Sequence, residues 1–249
     1  MMKIGIVGTG HIGKILVQRL SAAGHQIKVA NSRGPETIES EILSDGAQAV
    51  SAAEVVKDVE TLILSIPLNR IPDIVPLLAS VPDDTVVIDT SNYYPARDNK
   101  IEDIEAGKVE SVWVSEQLGR PIAKAWNAIG SDSLANKGEP AGSPNRIAIP
   151  VAADREHDRE VAMRLVEETG LDAVYSGSIA DSWRQQPGAP AYGTDLTRDE
   201  IPGALAAADK ARLPKRRDLA VEAFLERMGD PKTNPDADFG VRVSRALYM

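Results

Sequence analysis

Residues 3–33 read KIGIVGTGHIGKILVQRLSAAGHQIKVANSR, and this stretch decides the fold. It opens on Lys3–Val7, a short β-branched run that suits a strand buried on both faces. Gly8-Thr9-Gly10-His11-Ile12-Gly13 follows, the GxGxxG pattern. Apolar residues at Ile12, Ile15, Leu16 and Leu20 then keep a helical period up to Gly24-His25. Gln26–Ala30 reads as a second strand. Strand, glycine loop, helix and strand make one βαβ unit, the context that gives the glycine pattern meaning. Gly8 permits the turn off the strand, Gly10 lets backbone approach a pyrophosphate, and Gly13 lets helix and strand pack closely. A helix N-terminus at that point offers unpaired N–H groups and partial positive charge to phosphates. Dinucleotide binding is expected, against the alternative of a structural glycine turn.

The alternation continues outward. Helices are expected over residues 37–44, 51–57, 71–78 and 110–118, and strands over 47–49, 61–66, 86–89 and 122–127. Residues 131–145, rich in Gly, Pro, Ser and Asn, read as a loop or hinge. A strand over 146–152, a helix over 154–169 with an aspartate cap and Gly170 past its end, and a strand over 171–175 complete the pattern. The fold class expected is α/β, a doubly wound parallel sheet of the Rossmann type over residues 1–178. Residues 179–249 read as a small helical and extended segment, an acceptor site or dimer contact. It has a Pro/Gly loop at 186–195, helices near 199–211 and 214–228, and an extended polar tail at 230–239.

Of the 249 residues, 43% are hydrophobic and 26% charged, and the net charge is −9. That balance argues against nucleic acid or an anionic membrane as partner, since both need positive surface. The basic run Lys210, Arg212, Lys215, Arg216, Arg217 reads as a solvated helix face. The absence of cysteine removes disulfides, thiolate nucleophiles and Cys-ligated metals, and the three histidines lack metal-ligand spacing. No metal site is expected. No apolar run approaches the ~18 residues of a membrane helix, and the start does not read as a signal peptide. A soluble, cytoplasmic protein is the expectation.

The second informative position is the end of the second strand. An NAD site usually carries Asp or Glu there for the ribose hydroxyls. This chain has Asn31-Ser32-Arg33, where Arg33 suits a 2′-phosphate and Asn31 and Ser32 suit added hydrogen bonds. NADP(H) is the expected nucleotide. Ser65, Ile66, Pro67 and Asn69 follow the most apolar strand, on the side where ligands bind; an ordinary turn proline at Pro67 reads as well. Asp89-Thr90-Ser91-Asn92 ends the next strand, with Asn92 toward the nicotinamide. Alternation puts Lys124 and Trp126 on one strand face and Asn127 on the other. No Ser/His/Asp set and no Tyr-x-x-x-Lys pair marks a general acid, so the catalytic residues are not assigned.

These residues carry a resemblance. The opening stretch, with LILSIPLNRI, VVIDTSNYYP and IAKAWNAIG further on, resembles the NADPH-dependent deazaflavin (coenzyme F420) reductase family over about residues 3–130. That family is in turn similar to the cytosolic reductase domains of membrane ferric reductases. The resemblance implies hydride exchange between NADP(H) and a second flat redox ring, a deazaflavin or flavin as small-molecule acceptor. It places Thr9, His11 and Ile12 along the pyrophosphate, Asn31, Ser32 and Arg33 at the 2′-phosphate, and Ile66, Pro67 and Asn69 along ribose and nicotinamide. Trp183 and Tyr192 are candidates to cover the acceptor, with Arg184 reading an anionic group, or else to pack a subunit interface. By analogy with Rossmann reductases that carry a short helical tail, a homodimer is expected. Two other readings stand beside this one. The first is a reductase of a small carbonyl or imine, with Lys124, Tyr192 or His11 as proton donor. The second is an NADP(H)-binding sensor without catalysis.

Overall fold

The computed structural model of the chain describes residues 1–230 and 233–249. Its strands are β1 (Lys3–Val7), β2 (Gln26–Ala30), β3 (Gln48–Ala49), β4 (Thr61–Leu64), β5 (Val86–Asp89), β6 (Ala123–Lys124), β7 (Ala148–Ala153) and β8 (Asp172–Gly177). Between β1 and β6 run helices α1 (His11–Ala22), α2 (Ala52–Val55), α3 (Ile71–Leu78), α4 (Pro95–Asp98), α5 (Glu102–Glu105) and α6 (Glu110–Leu118). After β6 come α7 (Ser131–Asn136), α8 (Glu156–Glu168), α9 (Ile201–Ala206), α10 (Leu213–Met228) and α11 (Ala237–Tyr248). Among the described residues no helix is long and apolar enough to cross a membrane.

The strands form one sheet in the order β3-β2-β1-β4-β5-β6-β7-β8. The chain builds outward from β1 in one direction, then returns to its other side to lay β4, so the strand order reverses between β1 and β4. Crevices at such reversals, outside the carboxyl ends of the strands, hold ligands in open α/β sheets. Pairing is parallel except between β6 and β7, which run antiparallel. Alternation splits the core between two faces. Ile4, Ile6, Ile27, Val29 and Ile63 pack with Leu16, Leu20 and Leu165 on the α1–α8 side. Val7, Leu62, Leu64 and Val87 pack with Ile71, Ile74, Trp113 and Val114 on the α3–α6 side. Burying such a side chain fully contributes about 1.5–3 kcal/mol.

Several expectations are corrected. Residues 37–44 make two 3-10 turns, Pro35–Thr37 and Ser40–Leu43, rather than an α-helix. Residues 131–145 are not all loop, because α7 occupies the first six. The cap of α8 is Arg155, with no side-chain capping bond; the Asp154 carboxylate instead accepts from the Ile179 N–H at 3.0 Å. The strand expected over 122–127 shrinks to Ala123–Lys124, because Trp126 takes a left-handed φ of 54°. That turn also breaks the alternation: Trp126 joins Ala123 and Ala125 in the core on the α1–α8 side, away from Lys124. The polar tail is helical from Ala237 onward, where Asp236 caps α11 through the Phe239 N–H. Residues 231–232 of that expected tail lie outside the described residues. Finally, Arg217 of the basic run is buried, with its guanidinium 5.4 Å from the centre of the Tyr93 ring. The solvated-face reading holds for Lys210, Arg212 and Lys215.

Candidate functional site

The glycine loop divides its labour by geometry. Gly8 has a φ of 106°, and a Cβ there would lie 2.1 Å from the Ser65 carbonyl oxygen. A Cβ on Gly13 would lie 2.1 Å from the Gly8 carbonyl oxygen. Both glycines are demanded by the protein's own packing. A Cβ on Gly10 would meet nothing within 4 Å. Gly10 caps the N-terminus of α1 without a side-chain capping bond, and the first turn carries no acid. The first N–H groups of a helix have no intrahelical acceptor, so this end of α1 is free to take an anion, over space that a side chain at Gly10 would fill. A dinucleotide pyrophosphate fits that arrangement.

At the end of β2 the Asn31 carboxamide is spent on the turn. Its Oδ1 accepts from the Arg33 and Gly34 N–H groups, each at 2.9 Å, and its Nδ2 donates to Thr37 Oγ1 at 2.9 Å. Such a turn holds Ser32 and Arg33 outward, and both are exposed. No acidic side chain among the described residues pairs with the Arg33 guanidinium.

These strand ends open onto a cavity of about 810 Å³. Gly10, His11 and Ile12 line it from the loop, Ser65, Ile66 and Pro67 from the end of β4, and Thr90, Ser91 and Asn92 from the end of β5. Thr9 and Asn69 do not line it; Asn69 sits in the 3-10 turn Leu68–Arg70 with its Oδ1 buried and unpartnered. The far wall comes from the C-terminal helices, through Phe224, Ala237, Gly240 and Val241. Those helices are tied down: Asn234 Nδ2 donates to Ser131 Oγ at 2.8 Å, and the Ala237 N–H to Asp132 Oδ2 at 2.7 Å. Arg245 donates to the Thr194 and Asp195 carbonyls.

Below the cavity floor lies a buried ion pair. Lys124 Nζ sits 2.6 Å from Asp89 Oδ2 and also donates to the Ser91 carbonyl. Asp89 accepts further bonds from the Ser91 N–H and hydroxyl. Lys124 is fully buried and committed, which removes it as a proton donor to a ligand. Trp126 lines the cavity in its strained conformation, with its indole N–H donating to Thr169 Oγ1 at 3.1 Å. Bulky residues at positive φ are rare and gather at ligand sites.

Beside these lies a polar chain whose connections residue patterns did not reveal. Asn127 Nδ2 donates to Asn92 Oδ1 at 3.1 Å and to the Gln185 carbonyl at 2.8 Å. Asn92 Nδ2 donates to the Tyr192 hydroxyl at 3.1 Å, and Tyr192 Oη lies 2.6 Å from Tyr94 Oη. Tyr94 and Tyr192 both line the cavity. Burial raises both phenols, Tyr192 well above its ordinary value. Trp183 and Arg184 do not line the cavity. Arg184 stacks on Trp183 at 4.4 Å and pairs with Asp181, so neither faces an acceptor there. Asn92, Asn127 and Tyr192 were singled out separately in the sequence; that they join one another through Tyr94 and Gln185 was not, because Tyr192 and Gln185 arrive from a segment without periodicity.

The family model described as NADP oxidoreductase coenzyme F420-dependent matches residues 3–93, from β1 past the end of β5. The Escherichia coli putative protein YjhV is 41% identical over 101 residues, 39% of this chain and 70% of YjhV. The crystal structure of hypothetical protein SMa0349 from Sinorhizobium meliloti is 28% identical, with a TM-score of 0.69 over 80% of this chain and 97% of that one. A putative F420 dependent NADP-reductase from Arthrobacter sp. FB24 shares the fold at 16% identity and a TM-score of 0.57, covering 95% of this chain and 99% of that one. The chain belongs to the coenzyme F420-dependent NADP oxidoreductase family and is an NADP-dependent oxidoreductase.

Proposed function

We propose that the chain moves a hydride between NADP(H) and a flat redox ring of the deazaflavin or flavin type, with both rings held in the cavity between the strand ends and the C-terminal helices. The observation that carries this reading is the continuity of that cavity. It runs from the anion-ready end of α1 to the Tyr94–Tyr192 pair, at a volume of about 810 Å³. Ligand sites span roughly 300–1,000 Å³. Its apolar planes, Ile12, Ile66, Trp126 and Phe224, suit ring faces rather than a small charged substrate.

In this reading Gly10 and the N–H groups that open α1 hold the pyrophosphate, with Thr9, His11 and Ile12 beside it. Ser32 and Arg33 hold the 2′-phosphate on the turn that Asn31 builds. Ser65, Ile66 and Pro67 lie along ribose and nicotinamide, with Asn92 across from them. When bound, NADPH supplies the two electrons as a hydride. The side chains orient the rings and keep water out, which is what hydride transfer needs from a protein. The working unit we propose is a homodimer, checked by light scattering in solution.

The experiment is NADPH oxidation against a panel: 5-deazariboflavin, FMN, a cyclic imine and a ketone. Turnover with 5-deazariboflavin or FMN well above the imine and ketone supports the reading. Turnover confined to the imine or ketone overturns it.

A further inference from the structure

Hydrogen-bond accounting leaves one proton over at the cavity wall. Tyr94 precedes α4 and Tyr192 lies in the 186–195 loop, yet their hydroxyl oxygens are 2.6 Å apart. The neighbouring amides are fixed in orientation. Asn127 Nδ2 donates to Asn92 Oδ1, which makes the other end of the Asn92 amide the donor: Asn92 Nδ2 gives one N–H to the Asn127 carbonyl at 2.9 Å and the other to Tyr192 Oη at 3.1 Å. Asn127 is itself set by Gln185, whose Nε2 donates to Asn127 Oδ1 at 2.9 Å. The Tyr192 oxygen therefore already receives one N–H bond.

Two phenols carry two O–H protons, and one short bond between them uses only one. Among the described residues no other acceptor lies within reach of either hydroxyl. The Arg97 guanidinium is held by a two-pronged pair with the buried Asp98 at 2.8–2.9 Å and donates to the Asn92 carbonyl at 2.6 Å, which fixes it 5.3 Å from the centre of the Tyr94 ring and away from hydrogen-bond reach of Tyr192. A cation beside one phenol strengthens that phenol as a donor. Tyr94 thus gives its proton to the shared bond, Tyr192 receives two bonds, and the Tyr192 O–H is left facing the cavity. Buried phenol O–H groups ordinarily have a partner, so the missing acceptor is a ligand atom.

We infer that Tyr192 is the acid of the reaction: its spare O–H protonates the heteroatom of a C=N or C=O group in the acceptor as the adjoining carbon takes the hydride. This rests on the reading of the cavity as the hydride-transfer site. The balance is simple. The hydride forms a new C–H bond, the C=X or conjugated C=C–C=X π system shifts its electron pair to X, and X takes the Tyr192 proton. Tyr94 passes its own proton along the 2.6 Å bond, and the negative charge comes to rest on Tyr94 beside Arg97 until solvent returns a proton. Burial keeps both phenols protonated at neutral pH, so the proton is there to give.

The test uses Tyr192→Phe and Tyr94→Phe, which keep the ring packing. Two binding measurements by fluorescence accompany turnover: NADPH alone, and oxidised 5-deazariboflavin to the NADP+ complex. For Tyr192→Phe, NADPH affinity stays within about twofold. Deazaflavin affinity falls about three- to tenfold, the loss of one hydrogen bond. Turnover falls about 10²–10⁴-fold, the usual contribution of a general acid. Tyr94→Phe lowers turnover less and shrinks the solvent deuterium isotope effect. Wild-type turnover and wild-type deazaflavin affinity in Tyr192→Phe overturn the acid while leaving the deazaflavin reading standing. Imine or ketone reduction that Tyr192→Phe abolishes, with no deazaflavin reduction, upholds the acid and overturns the deazaflavin reading. No turnover on any acceptor, with binding indifferent to Tyr192→Phe, overturns both.

Discussion

At the scale of single residues, the three loop glycines separate folding from binding. Gly13→Ala puts a methyl 2.1 Å from the Gly8 carbonyl oxygen, and overpacking against backbone costs roughly 1–3 kcal/mol or more. Gly10→Ala meets nothing in the protein, so its effect falls on the nucleotide. Thermal melts with NADPH titrations check this: Gly13→Ala melts several degrees lower, whereas Gly10→Ala melts near wild type and binds NADPH at least tenfold more weakly. Arg33→Ala removes the exposed guanidinium beyond β2. Charge-assisted bonds contribute about 1.5–3 kcal/mol, so the Kd for NADPH rises roughly 10–100-fold while that for NADH changes little; equal changes for the two nucleotides defeat the assignment. These positions were legible in the chain because their spacing carries backbone constraints. The amide side chain at Asn31 was legible as polar and not as a turn-builder, because its partners depend on where Gly34 and Thr37 come to lie.

At the scale of elements, the strands of the first half were readable because buried parallel strands are continuous apolar runs. β6 was not readable to its end. Its sequence stays apolar past Lys124, but the backbone leaves the sheet at Trp126, a change that hydrophobicity does not encode. Helix α6 carries a second hidden feature. Its first residue, Glu110, is buried, accepting from the Tyr93 N–H at 3.1 Å and from Gln186 Nε2 at 2.9 Å. Burial pushes its carboxyl up from 4.5 to about 7, against the pull of Lys124 and Arg217. A carboxyl that holds its proton more tightly folded than unfolded stabilises the fold fully below about pH 4.5. That contribution declines as pH rises through about 7. The melting temperature of wild type relative to Glu110→Gln therefore falls between about pH 5 and pH 8. Each kcal/mol corresponds to ~2–4 °C at this size. A difference that stays constant with pH refutes the buried-acid account.

At the scale of the whole molecule, the sheet was foreseeable and the closure was not. The C-terminal segment lacks strand periodicity, and its hold on the site is made of individual bonds, Asn234 to Ser131, Ala237 to Asp132, and Arg245 to the 194–195 carbonyls. Bonds between residues a hundred positions apart leave no local pattern. Asp132→Ala removes one of these ties without touching the glycine loop. Hydrogen exchange at the first turn of α11 then quickens, and NADP+ slows it again; exchange unchanged by the substitution shows that Asp132 does not hold the helix. The chamber is assembled from Gly10 at one end and Ser244 at the other, with the whole sheet in between. On a ribosome, the glycine loop emerges well before the C-terminal helices that form the opposite wall. A chain halted after β8 lacks the far wall of the cavity, so on the proposed reading the two rings have no closed chamber to share until α10 and α11 have been made.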